Sequence, residues 1–414
     1  MIDTLIRAGA SRYLEFKTIQ HLYMQATDEM IQVPVSKADV FKSTNISLVE
    51  KRQLMKFIQT ISHPDDAETE LLAQMGSKPF VQYTKQKKLT ERLTQFLLYA
   101  VALEPHHLTN PSAMTTTMGV SSILRFMGSL GRYGGNSPWI YPLFGMGDLC
   151  QSFSRLSAVY GATFILGKHV TELHTSRSGE EVIITGINVG TTKDIKTKHV
   201  VSSIDHLPEL ANPIAPTDTC LSRCVLITDG PMKTKEGTRE IIFSVIPPNT
   251  YHNTFAVYIL QLDESASVVP SGKYLLHIWT QGSANGVEVD LKPIVEALSR
   301  SPVASDHCDT TAAAVDGRPS IVYSAYWNHF ERRLRIDIPM PKNLTIIDQV
   351  NFEVGADSFF EQAQLVFSQL CPGEEFIPNV PNPEDIIWVR TLISKPLNLC
   401  GLPSRPCHRA FLFY

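Results

Sequence analysis

The sequence predicts an α/β fold in which a small all-α region interrupts a mixed β-sheet. Residues 47–130 show helical apolar spacing, whereas later residues form short runs rich in Val, Ile, Tyr and Phe. Runs of that kind between Gly, Pro, Asp or Asn are typical of strands. Helical patterns at 287–298 and 359–370 predict helices that cover the sheet. We predict strands at residues 225–229, 240–246, 254–262, 273–281 and 320–328.

The all-α region opens with a capped helix. Ser47 and Glu50 have the spacing of a capping box, in which each side chain accepts a hydrogen bond from the other residue's backbone amide. Apolar residues then recur at helical spacing, at Leu54, Phe57, Ile58 and Ile61. We therefore predict a helix from residue 47 to about 61, followed by the acidic connector SHPDDAETE.

Two further helices complete this region. Between residues 88 and 103 the segment RLTQFLLYAVAL is apolar on almost every side, and VSSILRFMGSL forms a third helical pattern that ends near residue 130. A helix that is apolar all round is buried, or it lines an apolar cavity. The residues alone leave both alternatives open, a helical-bundle core and a cavity wall.

Composition narrows the classes of function. The 414 residues carry a formal net charge of -4, which gives no electrostatic reason to expect nucleic acid. No apolar run approaches the roughly 18 residues of a membrane span, so lipid contact is expected to be indirect, through a pocket or a partner. The first residues do not resemble a secretory signal, which favours the cytosol.

No catalytic or metal-binding constellation is recognisable. The seven cysteines are scattered, and the pair Cys220 and Cys224 has no His pair at ligand spacing beside it, so we expect reduced thiols and no metal. His106 and His107 lie in a polar loop and are predicted to be solvated. Nucleophile-elbow, zinc-protease and P-loop motifs do not occur. We therefore predict no catalytic residue.

The stretch YPLFGMGDLCQSFSRLSAVYGA, residues 141–162, resembles a phosphate-binding turn without its third glycine. If a helix begins near Asp148, one apolar stripe faces a core, and Asp148 and Arg155 share another face. A carboxylate in the first turn disfavours a bound phosphate. Two interpretations remain, a protein-binding surface and a solvated polar face. The predicted stripe is Leu149, Phe153, Leu156 and Tyr160.

Several segments together resemble one known family. They are SRYLEFK, MIQVPVSKADVFKSTNISLVEKRQLMKFI, SLGRYGGNSPW, SPWIYPLFGMGDLCQSFSRLSAVYGATFIL and CPGEEFIPNVPNPEDII, and they span about residues 1 to 388 in order. They resemble the superfamily of Rab GDP-dissociation inhibitors and Rab escort proteins. VPVSKADVF and PNPEDII are closer to the escort branch, also called component A of Rab geranylgeranyltransferase.

The resemblance implies a flavoprotein-like fold of the Rossmann type that binds FAD or NAD(P) in its relatives. It divides the chain into an α/β Rab-binding domain at 1–46 and 131–388, a helical prenyl-binding domain at 47–130, and a divergent tail at 389–414. The family's first strand and G-x-G-x-x-G turn have no counterpart in this sequence. We therefore expect an N-terminally truncated product that binds no cofactor.

The resemblance also implies function and partners. It describes a non-catalytic protein that binds unprenylated, GDP-bound Rab GTPases and presents them to the α/β heterodimer of Rab geranylgeranyltransferase. Such a protein shelters the geranylgeranyl groups and delivers Rabs to membranes, where it resides transiently. Alternatives are a Rab GDP-dissociation inhibitor, a flavin-dependent oxidoreductase, which needs the missing fingerprint, and a truncated product without function.

Site residues follow from the resemblance by position. Asp148, Arg155 and Ile165 match the Rab-binding platform, whose tyrosine belongs upstream of this sequence. The remaining assignments are a patch for the Rab C-terminal tail at Ile31, Val33 and Phe41, and a prenyl pocket at Phe96, Leu97 and Val101.

A docking site for the transferase is predicted in KPFVQYTKQKKLTERL. Phe80 precedes a basic run there that ends at Arg92, and an exposed aromatic residue rimmed by cations is a common form of interface hot spot. The alternative is that Phe80 packs beneath its own helix.

Overall fold

A computed structural model describes most of the chain. The described residues are 1–26, 29–104, 114–134, 137–179, 181–190, 194–203, 206, 211–212, 220–232, 241–283, 285–300, 317–330, 333–334, 340–347, 354–377 and 411–413. The predicted segment PNPEDII and nearly all of the predicted tail lie outside them. Within the described residues, no helix is long and apolar enough to cross a bilayer.

The described residues form ten α-helices. They are α1 (Ile2–Arg7), α2 (Lys37–Lys42), α3 (Leu48–Ser62), α4 (Asp66–Met75), α5 (Phe80–Gln86), α6 (Glu91–Gln95), α7 (Thr116–Ser129), α8 (Met146–Val159), α9 (Val287–Leu298) and α10 (Asp357–Leu370). A π-helical turn, Phe96–Val101, continues α6, and a short 3-10 helix spans Ala10–Tyr13.

The principal sheet has seven strands in the order β15-β11-β14-β13-β12-β2-β3. These strands are β2 (His21–Ala26), β3 (Glu29–Gln32), β11 (Cys220–Thr228), β12 (Ile242–Ile246), β13 (Val257–Leu262), β14 (Tyr274–Gly282) and β15 (Ile321–Phe330). Neighbours are antiparallel except β2 and β12, which are parallel with His21 opposite Ile242. The five strands predicted from the sequence are all confirmed, and they lie in this one mixed sheet.

Smaller sheets flank the principal one. One has three strands in the order β6-β7-β8, and the others are the pairs β1-β4, β5-β18, β9-β17 and β10-β16. Their strands are β1 (Phe16–Thr18), β4 (Ile140–Pro142), β5 (Thr163–Ile165), β6 (Glu172–Ser178), β7 (Glu181–Asn188), β8 (Ile195–Lys196), β9 (Val200–Ser203), β10 (Ala211–Asn212), β16 (Arg333–Leu334), β17 (Leu344–Ile347) and β18 (Phe411–Phe413).

The helical region and the sheet share one hydrophobic core. Residues of α3 to α7 and residues of β2, β12 and β13 belong to the same buried cluster. Trp139 connects the two parts, because its ring lies edge-on to Phe126 of α7 at 5.4 Å and to Phe243 of β12 at 4.9 Å. The interruption seen in the sequence is therefore a change of secondary structure within one continuous core.

Two predictions of secondary structure need correction, and one is confirmed. The acidic connector is only partly a connector, because α4 begins at Asp66 within it, capped by Asp65. Helix α9 covers the sheet as predicted, because its residues Leu291 and Ile294 belong to a second buried cluster that also contains residues of β11, β12, β13 and β14. Helix α10 does not, because Phe360 packs against Phe153 of α8 at a ring distance of 5.7 Å.

Candidate functional site

Helix α8 is held in place by the strand that precedes it. Strand β4 pairs with β1, and the Leu143 amide donates to the Glu15 carbonyl at 2.9 Å. The chain then turns sharply, with φ of +68° at Phe144 and +100° at Gly145, and α8 begins at Met146 rather than near Asp148 as predicted. Gly145 suits this backbone because it lacks a Cβ, whereas Phe144 is strained there.

The predicted apolar stripe of α8 is correct for three of its four residues. Leu149 is buried, and Phe153 and Leu156 pack in a cluster with residues of α1 and α10. Tyr160 is 61% exposed because the helix has ended there, at its C-cap. The helix is thus anchored along one side and free along the other.

The free side carries the predicted platform residues. Asp148 lies half-buried in the first turn and Arg155 is exposed. Seven positions on a helix make about two turns and about 10 Å, so both side chains project from the same side. The Arg155 guanidinium lies 4.5 Å from the centroid of the Tyr13 ring, a cation–π contact.

Tyr13 is a residue that sequence reasoning missed. Tyr13 brings an aromatic ring, 41% exposed, against Arg155. Tyr13 lies within SRYLEFK, and only the packing of the N-terminal segment on α8 reveals the contact. Ile165, the third predicted platform residue, lies half-buried on β5.

The predicted prenyl-pocket residues come together at an apolar groove. Phe96, Leu97 and Val101 all line it. The other lining residues are Val33, Pro34, Val35, Ser36, Val40, Leu54, Met55, Ile58, Ile123, Phe126 and Met127. Its free volume is about 40 Å³, a few times the roughly 10–15 Å³ that one water molecule needs. The groove is therefore narrow. Its α7 wall could have been found from the sequence, because Ile123, Phe126 and Met127 recur at helical spacing.

The predicted tail patch does not form one exposed surface. Ile31 is 9% exposed because its position in β3 directs it into the core, and Val33 is 3% exposed and lines the groove. Phe41 alone is on the surface, with 70% of its side chain exposed. The three residues therefore occupy a core, a groove wall and a surface respectively.

The prediction that Phe80 is an exposed docking residue is wrong. Phe80 is 0% exposed and packs against Tyr83 and helix α7. The approach to α7 is so close that a Cβ atom at Gly119 would lie 2.5 Å from Cδ2 of Phe80. Its burial follows from the fold, because Phe80 begins α5 on the side that faces α7.

Arg92 is half-buried rather than fully exposed. Its guanidinium lies over the ring of Phe96 at 5.7 Å, behind the groove wall. Burial alone would raise the pKa of nearby Glu50, but hydrogen bonds from Ser47 and Thr90 outweigh it, and with the charge of Arg92 they lower that pKa. Arg92 thus contacts the ring of one groove residue, Phe96, and its charge helps to lower the pKa of Glu50.

Part of the basic run near Phe80 is also neutralised. The Lys87 ammonium and the Tyr83 hydroxyl both donate to the buried carboxylate of Glu68. Burial, with the hydrogen bond to Glu68, raises the pKa of Tyr83. The Lys87 ammonium therefore points into the helical region, where it pairs with Glu68.

The cysteines show no ligand-binding arrangement in the described part of the chain. Cys220 and Cys224 are buried on β11, and burial raises the pKa of the Cys224 thiol to about 12. No group of three potential metal ligands occurs among the described residues. His106 and His107 lie outside those residues.

A comparison with known families identifies the chain's relatives. A model of the family described as "GDP dissociation inhibitor" matches residues 1–316. The chain belongs to the GDP dissociation inhibitor family. A Rab GDI from Plasmodium falciparum has the same fold, with a TM-score of 0.71 at 19% identity, over 91% of this chain and 80% of that one. The family resemblance and the fold class predicted from the sequence are therefore confirmed.

Curated members of the family divide into two groups. The rat protein named Rab proteins geranylgeranyltransferase component A 1 is 31% identical over 94% of this chain. The Arabidopsis thaliana protein named guanosine nucleotide diphosphate dissociation inhibitor 2 is 27% identical over 72% of this chain, and the match covers 65% of that protein's length. This chain spans 58% of the rat protein's length. The higher identity and coverage agree with the escort-type motifs of the sequence.

Proposed function

We propose that this chain acts as a Rab escort protein: it binds GDP-bound Rab GTPases and shelters their geranylgeranyl groups. One observation carries the proposal. Phe96, Leu97 and Val101, which the family resemblance assigns to a prenyl pocket, line a single apolar groove, and the predicted platform residues Asp148 and Arg155 lie on a separate surface. A protein with both features can hold a GTPase and its lipid at once.

The two contacts have complementary roles. Burying each CH₂ of a prenyl chain contributes about 0.8 kcal/mol, so lipid burial supplies affinity but no discrimination between Rabs in different nucleotide states. Asp148 and Arg155 offer charged groups that can read the switch regions, which change between GDP and GTP. Two linked contacts on one chain raise avidity even where each is modest.

The groove must widen to take a prenyl chain. A free volume of about 40 Å³ holds only a few water-sized groups. Its walls include α3, α7 and the π-helical turn. Two of the wall side chains are methionines, Met55 on α3 and Met127 on α7. Methionine side chains are unbranched and adapt readily, which favours such a movement.

In the proposed role the chain is a non-catalytic component that works with the Rab geranylgeranyltransferase heterodimer. It is cytosolic and reaches membranes transiently. With Phe80 buried, no exposed aromatic anchor for the transferase remains among the predicted residues. The alternative of a GDP-dissociation inhibitor is favoured by the Arabidopsis relative and differs in one respect, because an inhibitor binds prenylated Rabs and does not support prenylation.

The first experiment measures binding of GDP-loaded, unprenylated Rab to the purified chain. We expect Asp148→Ala and Arg155→Ala each to lose about 1–3 kcal/mol, because charge-assisted contacts of a partly desolvated interface are removed. Lys292→Ala on α9 serves as the control, and it should bind like the parent. Parent-like binding by both platform variants would exclude the platform assignment.

A second experiment separates the two candidate functions. Rab geranylgeranyltransferase, labelled geranylgeranyl diphosphate and Rab are incubated with and without the chain, and transfer to Rab is measured. An escort protein makes transfer depend on the chain. Binding of prenylated Rab without any support of transfer would instead establish the inhibitor.

A further inference from the structure

Exposed apolar side chains are concentrated at the start of the helical region. Phe41 on α2 is 70% exposed, and Leu48 and Val49 in the first turn of α3 are 75% and 65% exposed. Burial of such side chains is favourable, so three within nine positions indicate a surface that contacts something apolar. Within the part of the chain that the structure describes, nothing covers these side chains, and α3 buries its opposite side through Leu54, Phe57 and Ile61.

Cations continue this surface along α3. Arg52 lies four positions after Leu48, and Lys56 lies four positions after Arg52, so Leu48, Arg52 and Lys56 form one stripe. Both cations are exposed, and positions 48, 49, 52, 56 and 59 include no acid. The stripe is therefore apolar at its beginning and positively charged along its length.

Helix α2 adds to the same surface. The Lys51 ammonium donates to the Phe41 carbonyl at 2.9 Å, which ties the end of α2 to the first turn of α3. Lys42, next to Phe41, is also exposed. We call this surface the α2–α3 patch, and its members are Phe41, Lys42, Leu48, Val49, Lys51, Arg52 and Lys56.

The patch borders the apolar groove. Met55 and Ile58 line the groove from α3, and by helix geometry they lie beside the stripe of Leu48, Arg52 and Lys56. On α2, Val40 lines the groove and the neighbouring Phe41 is exposed. A ligand seated on the patch thus lies next to the entrance of an apolar cavity.

We propose that the α2–α3 patch contacts the surface of an anionic phospholipid bilayer. Apolar side chains flanked by Lys and Arg are typical of interfacial membrane contact, where the apolar groups enter the acyl boundary and the cations meet anionic headgroups. The chain's net charge of -4 gives no general attraction to such a surface, so the attraction must be local. The contact brings the groove to the bilayer, and it does not require a bound GTPase.

The test is flotation of the purified chain with phosphatidylcholine vesicles, with and without phosphatidylserine. We expect binding that depends on phosphatidylserine and weakens with added salt. Each cation near an anionic surface contributes about fivefold in partitioning, so the double variant Arg52→Glu/Lys56→Glu should lose at least about twentyfold. Leu48→Ser/Val49→Ser should lose binding at every salt concentration, because it removes the apolar contribution.

Matched controls place the same changes elsewhere. Lys168→Glu/Lys292→Glu produces the same net charge from exposed cations, and Val159→Ser/Leu166→Ser removes two equally exposed apolar side chains. Both controls should bind vesicles like the parent, and all variants should keep the parent's melting temperature. Absence of binding to anionic vesicles, or parent-like binding by both patch variants, would overturn the proposal. Binding of a Rab C-terminal peptide at the patch without any binding to vesicles would also overturn the proposal, because the patch would then be a peptide site.

Discussion

The predicted platform residues on α8 and the predicted residues of the apolar groove differ in accessibility. On α8, Arg155 is exposed and Asp148 is half-buried, so both are accessible without any movement of the backbone. In the groove, Phe96 and Leu97 are almost fully buried, and the free volume is about 40 Å³. The platform is preformed, whereas the groove opens only if its walls separate.

In the proposed function, this difference follows from what each site recognises. Polar contacts with a protein need fixed side chains on an accessible surface, and α8 is fixed by its packing on α1 and α10. An apolar ligand needs a dry cavity, and an empty apolar cavity of lipid size destabilises a fold, so closure in the absence of ligand is favoured. Protein contact can therefore precede lipid entry.

The largest expected change in stability is at Phe80, which lies in the core of the helical region, whereas Phe144 lies on the surface beside the platform helix. Phe80→Ala removes a fully buried ring between α5 and α7, and we expect the free energy of unfolding to fall by about 3–5 kcal/mol. Urea denaturation measures the change. Phe144→Ala near the platform is the matched control, because Phe144 is mostly exposed and should cost less than about 0.5 kcal/mol. Similar losses in both variants would remove the distinction between core and surface.

A charged residue in the groove should separate lipid from protein binding. Val101→Asp places a carboxylate on an apolar wall, and we expect a loss of about 2 kcal/mol or more in affinity for geranylgeranylated Rab. Affinity for unprenylated Rab should not change, because Asp148 and Arg155 are untouched. Titrations with both forms of Rab measure this, with Val289→Asp on α9 as the control. Equal losses for both forms would mean that the two regions are not independent.

The strained turn before α8 should become more stable when Phe144 is replaced by glycine. A left-handed conformation costs a non-glycine residue about 1–2 kcal/mol, and the added backbone entropy of glycine removes about 0.5–1 kcal/mol of that gain. We expect Phe144→Gly to stabilise the fold by about 0.5–1 kcal/mol in urea denaturation. A destabilised variant would show that the Phe144 ring makes contacts important for the platform.

The smallest expected effect concerns the sheet that supports the groove. Burial, assisted by the charge of Arg223, lowers the pKa of His277 on β14. As the pH falls, His277 takes up a proton in the unfolded chain, where a histidine pKa is near 6.5, before it does so in the folded chain. Neutral His277 therefore costs the folded state nothing above about pH 6.5, and the free energy of unfolding declines as the pH falls below that value. We expect His277→Gln to lose less stability on acidification than the parent. Parallel pH profiles would assign the acid sensitivity to other groups.

Much of the platform could be predicted from sequence because its determinants are local. The Gly145 turn comes directly before α8, and the spacing of Leu149 and Phe153 and the placement of Asp148 and Arg155 all lie within that helix. The contact of Arg155 with Tyr13 joins residues distant in the chain, so helical periodicity contains no information about it.

The groove was predictable only in part. An all-round apolar segment indicates burial, but it leaves open whether the segment forms a bundle core or a cavity wall. The assignment of Phe96, Leu97 and Val101 to a pocket came from the family resemblance, and all three line the apolar groove. Phe80 was misplaced because a basic run suggested a surface, whereas Lys87 turns inward to Glu68 and α7 covers the ring. The β6–β8 sheet was missed because its outer strand β6 is largely exposed and has few apolar residues.

The parallel pairing of β2 with β12 has a consequence for synthesis of the chain. His21 pairs with Ile242, so β2 leaves the ribosome 221 residues before its neighbour. At about 5–20 residues per second, β2 waits roughly 10–40 s for that partner. During this interval its apolar residues Leu22 and Met24, buried in the finished core, are open to chaperones and to aggregation.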